Sequence, residues 1–173
     1  MKNIQLIKTS KPKWGDYLRA RWRERFACHL TIKEQNEVLI DDFLWHLCSS
    51  EMVTCLEKTE AIDAFLQQSK HKCTVFYQFV NEAYLFENSR SLSINDLPYQ
   101  SDNMNYNDMY VMDWNEKWTF VMTHETDYGP YFIQIDEKNE RGTDDFFDMK
   151  SPPSSWNERV FHWILAILIK AFS

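Results

Sequence analysis

The chain has 173 residues, of which 16% are aromatic and only three are glycine, and its formal net charge is −7 at pH 7. This length predicts a single domain, residues 1–173, with a hydrophobic core of its own. The three glycines, Gly15, Gly129 and Gly142, lie too far apart to build a glycine-rich phosphate loop, which excludes nucleotide binding through a P-loop or a dinucleotide motif.

Helices are predicted for the N-terminal part of the chain. The first spans residues 14–30, where apolar side chains recur at four-residue steps and form one helical face: Trp14, Leu18, Trp22 and Phe26. The second follows Thr31, which forms a capping box with Glu34, and its apolar spacing continues to residue 47. A third, shorter helix is predicted to begin near Thr59.

The hydrophobic pattern changes to that of β-strands after residue 72. Residues 73–80 and 82–88 are rich in β-branched and aromatic side chains and predict a strand pair. Residues 91–107 read as a loop, and three strands over 108–114, 117–124 and 130–136 form an antiparallel meander. The predicted fold is therefore α+β, with N-terminal helices, an antiparallel sheet of four to five strands and a C-terminal apolar helix.

The C-terminal part divides into an acidic loop and linker, residues 136–155, and an apolar helix, residues 156–172. The apolar run of the helix is shorter than the ~20 residues that span a bilayer, so no membrane crossing is expected. Three roles stay open for it: packing on the chain's own sheet, contact with a second copy in a homodimer, or a segment at a membrane surface. The chain is thus predicted to be a monomer or a homodimer through residues 156–172.

His124 and Glu125 close the segment "WTFVMTHE" and form a candidate polar site. Side chains alternate between the two faces of a strand, so Trp118, Phe120 and His124 are predicted to share one face and Glu125 to lie on the other. While the strand persists, the imidazole and the carboxylate cannot reach one metal ion or one substrate atom. His124 is therefore interpreted as a hydrogen-bonded histidine at the rim of the core.

Cysteine and histidine chemistry is not favoured by the sequence. The cysteines at 28, 48, 55 and 73 have irregular spacing, and no secretory signal precedes them, so reduced thiols in the cytoplasm are expected. His46 and Cys48 would point to different sides of the second predicted helix, which argues against zinc. No catalytic residue, metal or other cofactor is predicted.

Charge is distributed unevenly along the chain. Residues 1–25 contain eight lysines and arginines against Asp16 and Glu24, a net charge of +6, so the other 148 residues carry −13. A basic helix of this kind can contact phosphates or dock against acidic segments of its own chain, such as 136–148 or 34–42. Because the whole chain is acidic, nucleic-acid binding is not expected.

The acidic segment "DEKNERGTDDFFD" indicates a protein partner of opposite charge. Its carboxylates and phenyl rings at 144–148 are the candidate partner-binding residues: Asp144, Asp145, Phe146, Phe147 and Asp148. The alternative is a solvated acidic loop whose two phenylalanines fold back onto the core. A basic protein is the predicted partner.

Three segments in this order resemble a family of small uncharacterised bacterial proteins, a domain of unknown function found mostly in Gram-positive spore formers. They are "FLWHLCSSEMVTCLEKTEAIDAFLQQ", "VFYQFVNEAYLFENSRSLSINDL" and "DMYVMDWNEKWTFVMTHETDYGPYF". The resemblance covers about residues 14–133 and is strongest over 115–125 and the "GPYF" that follows. It implies no assigned activity, cofactor or catalytic residue.

Two functions are compatible with these features. The first is a non-enzymatic cytoplasmic binding protein that holds a partner through an acidic surface, in an immunity-like or regulatory role. The second is a small hydrolase-like enzyme that uses carboxylates and His124. A closed cleft joining His124 to two carboxylates favours the enzyme, and an acidic face without such a cleft favours the binding protein.

Overall fold

The computed structural model describes residues 6–39 and 43–135, which form four α-helices and seven β-strands within one compact unit, residues 1–142. Along the chain the elements are β1 Ile7–Lys11, α1 Gly15–Phe26, α2 Ile32–Val38, α3 His46–Ser49, β2 Leu56–Glu57, α4 Lys58–Gln67, β3 Lys72–Tyr77, β4 Ala83–Glu87, β5 Met109–Asp113, β6 Trp118–Met122 and β7 Tyr131–Gln134. Two short 3-10 turns, Ser89–Ser91 and Ile94–Asp96, follow β4.

The strands form one sheet in the order β1-β4-β3-β5-β6-β7-β2, with every neighbouring pair antiparallel. The α+β class and the meander of β5, β6 and β7 are confirmed. The predicted count of four to five strands is wrong, because β1 and β2 extend the sheet at its two edges. The predicted C-terminal helix, residues 156–172, lies outside the described residues.

Both missed strands lack the pattern by which a strand is recognised in a sequence. In β1, four of the five residues are exposed and none is fully buried, so apolar and polar side chains do not alternate. It pairs with β4 from Ile7–Glu87 to Lys11–Ala83. β2 has two residues, both exposed, and is held by backbone pairing with β7. Edge strands of this kind are fixed by their neighbours more than by their own composition.

Helix α1 packs on one face of the sheet through the side chains predicted for its buried face. Leu18 and Trp22 are fully buried, and the indole N–H of Trp22 donates to Thr119 Oγ1 at 3.0 Å. The Trp22 ring also meets the edge of Tyr110, with centroids 5.9 Å apart. The predicted helix of residues 14–30 is thus confirmed over Gly15–Phe26.

Helix α4 covers the opposite face. Its Phe65 is fully buried and stacks on Phe120 of β6 with ring centroids 4.6 Å apart. Because Phe120 follows Thr119 in the strand, the two side chains point to opposite faces, and so α4 and α1 enclose the sheet between them. The helix begins at Lys58, with Glu57 as its N-cap residue. This start lies one residue before Thr59, near which it was predicted.

The second predicted helix begins as expected and ends early. The Thr31 side chain accepts a hydrogen bond from the backbone N–H of Glu34, and the Glu34 carboxylate accepts one from the backbone N–H of Thr31, which confirms the capping box. The helix stops at Val38, since Leu39 has ψ 78°, outside the helical region. A separate short helix, α3, starts at His46, so the continuous helix to residue 47 is wrong.

The basic first helix forms ion pairs with the chain itself. Arg21 Nε lies 2.9 Å from Glu116 Oε1, and Arg21 Nη2 lies 2.6 Å from Glu116 Oε2. Only 8% of the Glu116 side chain is exposed, so this paired contact holds α1 to the turn between β5 and β6. Glu116 lies in neither of the acidic segments suggested from the sequence. The suggested contact with 136–148 lies outside the described residues.

The buried thiol of Cys73 predicts a loss of stability at alkaline pH. Burial raises the pKa of Cys73 from 9.0 to about 12. The folded state therefore favours the neutral thiol. The contribution of this thiol to the free energy of unfolding is complete below pH 9 and is lost as the pH rises towards 12. Between pH 8 and pH 10.5, Cys73 alone is expected to account for about 2 kcal/mol of lost unfolding free energy.

Urea unfolding of the wild type and of Cys73→Ala at both pH values checks this expectation. The variant starts less stable because it loses buried volume, but it should lose less stability between the two pH values. Cys28→Ala is the control, because Cys28 is exposed. Equal losses in wild type and Cys73→Ala would contradict the assignment.

Candidate functional site

The chain leaves the sheet one residue before the candidate polar site. Strand β6 ends at Met122, and residues 125–128 then form an exposed turn closed by a backbone hydrogen bond from Tyr128 to Glu125, 3.3 Å. The hydroxyl of Thr123 lies within hydrogen-bond distance of the carbonyls of Glu125 and Tyr128, 3.0 and 2.7 Å. These contacts fix the turn backbone from the inside.

Gly129 completes the turn with φ +69°, in the left-handed region where glycine is favoured. A Cβ at this position would lie 3.1 Å from Thr123 Cγ2. The peptide bond from Gly129 to Pro130 is cis. Both the conformation and the close approach to Thr123 therefore select glycine here.

His124 is held by the buried carboxylate of Asp108, directly before β5. Asp108 Oδ1 accepts a hydrogen bond from the backbone N–H of His124 at 2.8 Å, and both carboxylate oxygens lie 2.9 Å from His124 Nδ1. The Asp108 side chain is fully buried, whereas 20% of the His124 side chain is exposed. The short contact to a carboxylate places the proton of the neutral ring on Nδ1 and leaves Nε2 without a proton.

Glu125 reaches the other nitrogen of the same ring. Its Oε1 lies 3.4 Å from His124 Nε2, and half of the Glu125 side chain is exposed. The prediction that the two side chains lie on opposite faces is wrong, because it assumed that the strand continues through residue 124. The strand ends at Met122, and the side-chain alternation ends with it. One imidazole therefore lies between two carboxylates.

The His124 ring does not lie on the side of the sheet that the alternation predicts. Trp118 and Phe120 pack in the core cluster that contains Phe65 of α4, as the alternation predicts. His124 instead contacts Phe43 and Trp45, with ring centroids 5.1 and 5.9 Å away. The bend after Met122 therefore moves the imidazole to the region that precedes α3.

The imidazole of His124 is part of a continuous row of aromatic rings. Phe79 meets the edge of Phe43 at 5.1 Å, and Tyr128 lies 5.7 Å from Trp45. Trp45 is buried, but 47% of Phe79 and 50% of Tyr128 are exposed. We name the exposed part of this region the acidic aromatic surface: Phe43, Phe79, His124, Glu125, Asp127 and Tyr128. It combines half-exposed rings with the exposed carboxylates of one turn.

Burial and the contact with His124 act in opposite directions on the pKa of Asp108. Burial raises the pKa of the Asp108 carboxyl above its ordinary value, and the hydrogen bonds from the His124 ring and backbone act in the opposite direction. The charge of Glu125 raises the Asp108 pKa further. Burial also raises the pKa of the nearby Tyr99 phenol, whose O–H donates to the carbonyl of Thr123 at 3.0 Å. The site thus contains a buried carboxylate whose charge is stabilised chiefly by His124.

Residues 1–132 match a family described as "Domain of unknown function (DUF4275)". The chain belongs to the DUF4275 family. This confirms the resemblance to an uncharacterised domain family that the sequence indicated. Searches among curated proteins and among solved structures found no match. Asp108, His124 and the turn of 125–128 all lie within the matched part of the chain.

The other predicted site of this DUF4275 chain cannot be placed in the fold. Asp144, Asp145, Phe146, Phe147 and Asp148 lie outside the described residues, and their role in binding a partner stays a prediction. Among the residues that the structure describes, no group of three or more histidine, cysteine or carboxylate side chains has the geometry of a metal site. Over the same residues, no helix has both the length and the apolar composition needed to cross a bilayer.

A cleft of about 770 Å³ opens elsewhere on the DUF4275 domain, between the end of α4, the turn after β5 and the end of β7. Its lining includes His71, Lys72, Trp114 and Lys117. The ammonium of Lys72 lies 3.8 Å above the Trp114 ring and 3.4 Å from Glu87, so this cation is already partnered. None of the described residues of the acidic aromatic surface lines the cleft.

Sequence reasoning missed Asp108 and the aromatic row. One signal for Asp108 was present in the predicted meander. The pairing of β5 with β6 runs from Met112–Thr119 to Met109–Met122, and its continuation brings position 108 next to 123 and 124. Phe43 and Trp45 had no such signal, because only the break between α2 and α3 brings them to His124.

Proposed function

We propose that this DUF4275 protein is a non-enzymatic cytoplasmic binding protein that holds a basic protein partner, in an immunity-like or regulatory role. The observation that carries the proposal is the acidic aromatic surface. There, Phe79 and Tyr128 are half exposed beside the exposed carboxylates of Glu125 and Asp127. Exposed aromatic side chains that adjoin carboxylates suit the guanidinium and ammonium groups of a basic protein segment.

The chemistry of such a segment matches the surface in two ways. An arginine or lysine stacks favourably on an aromatic face, with a gain of about 0.5–1 kcal/mol at an exposed position. The same cation pairs with a carboxylate, and arginine does so through two parallel hydrogen bonds. The overall net charge of −7 also attracts a basic partner from a distance and increases its rate of association.

The rigidity of the turn supports a binding role. Asp108 holds the backbone of His124, Tyr99 holds the carbonyl of Thr123, and Thr123 holds the carbonyls of Glu125 and Tyr128. A surface that is already ordered loses less conformational entropy when a partner binds. The carboxylates of this turn are therefore presented on a backbone that needs little further ordering.

A charge-neutralising double variant tests the proposal. Proteins captured by the immobilised chain are identified by mass spectrometry, and the affinity of each purified candidate is measured by calorimetry. The double variant Glu125→Gln with Asp127→Asn is expected to weaken binding of the true partner by about tenfold or more, since two charge contacts are lost. Tyr128→Ala should weaken binding by a similar factor, because central aromatic residues carry much of the binding energy.

The matched control carries the same change of charge on the other face of the sheet. Glu60→Gln with Asp63→Asn alters two exposed carboxylates of α4 and should leave the affinity within about twofold of wild type. A third variant, Asp144→Asn with Asp145→Asn and Asp148→Asn, tests the predicted acidic segment in the same assay. Unchanged affinity in the Glu125/Asp127 variant, or a captured partner without a basic surface, would refute the proposal for this surface.

A second candidate function, proton transfer by His124, is favoured by the contact between Asp108 and the ring. A carboxylate that fixes the tautomer of a histidine and leaves the lone pair on Nε2 is the arrangement of a general base. Hydrolysis of p-nitrophenyl acetate provides a simple test. An enzyme of this kind should lose most of its activity in His124→Asn, whereas a binding protein should show the same slow background rate before and after the substitution.

A further inference from the structure

The cleft beside the end of α4 is built on the ends of four strands that meet at one end of the sheet. Two of these strands begin there and two end there: β3 begins with Lys72, β6 begins with Trp118, β5 ends with Asp113 and β7 ends with Gln134. Their order is fixed by the sheet register, because Cys73 pairs with Asp113 and Trp118 pairs with Gln134. The cleft of about 770 Å³ therefore has a foundation of hydrogen-bonded strands.

Hydrogen bonds also hold the parts of the cleft that lie outside the strands. The side-chain amide of Gln68, the C-cap residue of α4, donates to Gln134 Oε1 at 3.2 Å and joins the helix to the last strand. In the turn after β5, Asp113 Oδ2 accepts from the backbone N–H groups of Asn115 and Lys117 at 3.1 and 3.4 Å. A cleft that is already ordered loses less conformational entropy when a ligand binds.

Lys72 holds its ammonium group at a fixed position in the cleft. Its Nζ lies 3.8 Å from the centre of the Trp114 ring and 3.4 Å from Glu87 Oε1, and 31% of the side chain is exposed. An ammonium has three N–H donors, so the ring and the carboxylate restrain this group and leave donor capacity for a ligand. An anionic group is the ligand chemistry that suits this position.

The charge of the cleft differs from the net charge of −7 of the whole chain. Lys72 and Lys117 line it together with the imidazole of His71, and Arg90 Nε donates to His71 Nδ1 at 3.4 Å. Asp113 is the only carboxylate among the described residues that line the cleft. The balance favours an anion, but the negative charge of Asp113 favours a ligand with a single anionic group over a polyanion such as nucleic acid.

Two indole rings supply apolar contact area in the same cleft. Trp114 is partly exposed there, and Trp118 lines the cleft while only 3% of it is exposed. Flat rings pack well against indoles in offset-stacked or edge-to-face arrangements. Small-molecule sites combine such apolar surface with a few fixed polar groups, in volumes of about 300–1,000 Å³. The size and lining of this cleft both fall within that description.

We propose that this cleft binds a small organic anion that carries a planar ring, the chemistry shared by a nucleoside monophosphate and an aromatic carboxylate. The anionic group pairs with the ammonium of Lys72, and the ring packs against the exposed part of the Trp114 indole. The site does not depend on the proposed binding of a basic protein, because none of the described residues of the acidic aromatic surface lines the cleft.

Two probes of matched design test the proposal on the full chain. Adenosine monophosphate is compared with neutral adenosine, and naphthalene-2-carboxylate with neutral naphthalene-2-carboxamide. Calorimetry at low salt is expected to give a Kd below about 1 mM for at least one of the anions, and its neutral counterpart should bind about tenfold more weakly. The anion that binds more tightly identifies the anionic group. The indole N–H resonance of Trp114, assigned from the spectrum of Trp114→Phe, should shift as the ligand binds.

Three variants locate the binding. Lys72→Met removes the ammonium but keeps most of the side-chain length, and it is expected to weaken binding about tenfold. Trp114→Ala should weaken binding by a similar factor, because the stacking surface is lost. Lys8→Met is the matched control, since Lys8 Nζ also lies 3.8 Å from the centre of an aromatic ring, that of Tyr84, but does not line the cleft. Its affinity should stay within about twofold of wild type.

The outcomes separate this site from the acidic aromatic surface. The double variant Glu125→Gln with Asp127→Asn should bind the probe as tightly as wild type does, so a failure of the proposed partner surface leaves this site measurable. Circular dichroism of every variant checks that the fold is retained. Absence of binding by both anions at about 5 mM, or equal affinity for the neutral counterparts, would overturn the proposal. An equal loss of affinity in Lys72→Met and Lys8→Met would do the same.

Discussion

Replacing Trp22 by alanine is expected to lower the free energy of unfolding by about 3–5 kcal/mol, the range for deleting a buried aromatic side chain. Trp22 is fully buried where α1 meets the sheet, and its ring contacts both Phe26 and Tyr110. The indole N–H also donates to Thr119 Oγ1 at 3.0 Å. Removal of the side chain therefore leaves a cavity and a buried hydroxyl that has lost its donor.

Trp22→Phe separates these two effects. The phenyl ring fills most of the volume but has no N–H, so the expected loss is about 1–2 kcal/mol for the unpaired acceptor and the smaller ring. Trp114→Ala is the control, because Trp114 is only partly buried and its ring contacts Lys72. It should lose about 0.5–1 kcal/mol. The measurement is urea unfolding followed by circular dichroism, and a loss for Trp22→Ala no larger than that of the control would contradict the role of Trp22.

The same residue illustrates which parts of the fold the sequence specifies well. Leu18, Trp22 and Phe26 recur at a helical period, and large apolar side chains at that period have few alternatives to burial on one face. The capping box of Thr31 and Glu34 is similarly local, since both partners lie within one turn of helix. Features determined by neighbours in the sequence could therefore be predicted from it.

The edge strands and the site depend on contacts between distant segments. Nothing in residues 7–11 distinguishes a strand from an exposed loop until β4 offers its backbone for pairing. Asp108 and His124 meet only because β5 and β6 pair in one register, and Phe43 joins them only because α2 ends at Val38. The failure at Glu125 has a simpler cause: an alternation rule was extended three residues past Met122, where the strand ends.

Replacing Asp108 by alanine is expected to destabilise the chain by about 2–3 kcal/mol, because hydrogen bonds to a buried charged group are lost. The backbone N–H and the Nδ1 of His124 both lose their acceptor. Part of the loss is offset, since the alanine variant no longer buries a carboxylate whose pKa is raised by burial. Urea unfolding at pH 7 measures the net effect.

Asp108→Asn is the more informative variant. Its amide oxygen can still accept from the backbone N–H of His124, so the expected loss is smaller, about 1 kcal/mol. Its amide N–H₂ donates to Nδ1, which moves the ring proton to Nε2 on the side of Glu125. Nitrogen-15 chemical shifts of the imidazole should therefore report an exchange of tautomers between wild type and variant. The same tautomer in both proteins would refute the role assigned to Asp108.

This tautomer exchange also distinguishes the two candidate functions. A general base needs the lone pair of Nε2, and an aspartate-to-asparagine change beside a catalytic histidine lowers the rate by orders of magnitude because the wrong tautomer is fixed. A binding surface needs the position of the turn and the charges of Glu125 and Asp127, both of which Asp108→Asn retains. Partner affinity within about threefold of wild type, together with the exchanged tautomer, supports the binding protein. A partner affinity that falls when the tautomer changes would show that the imidazole itself contacts the partner.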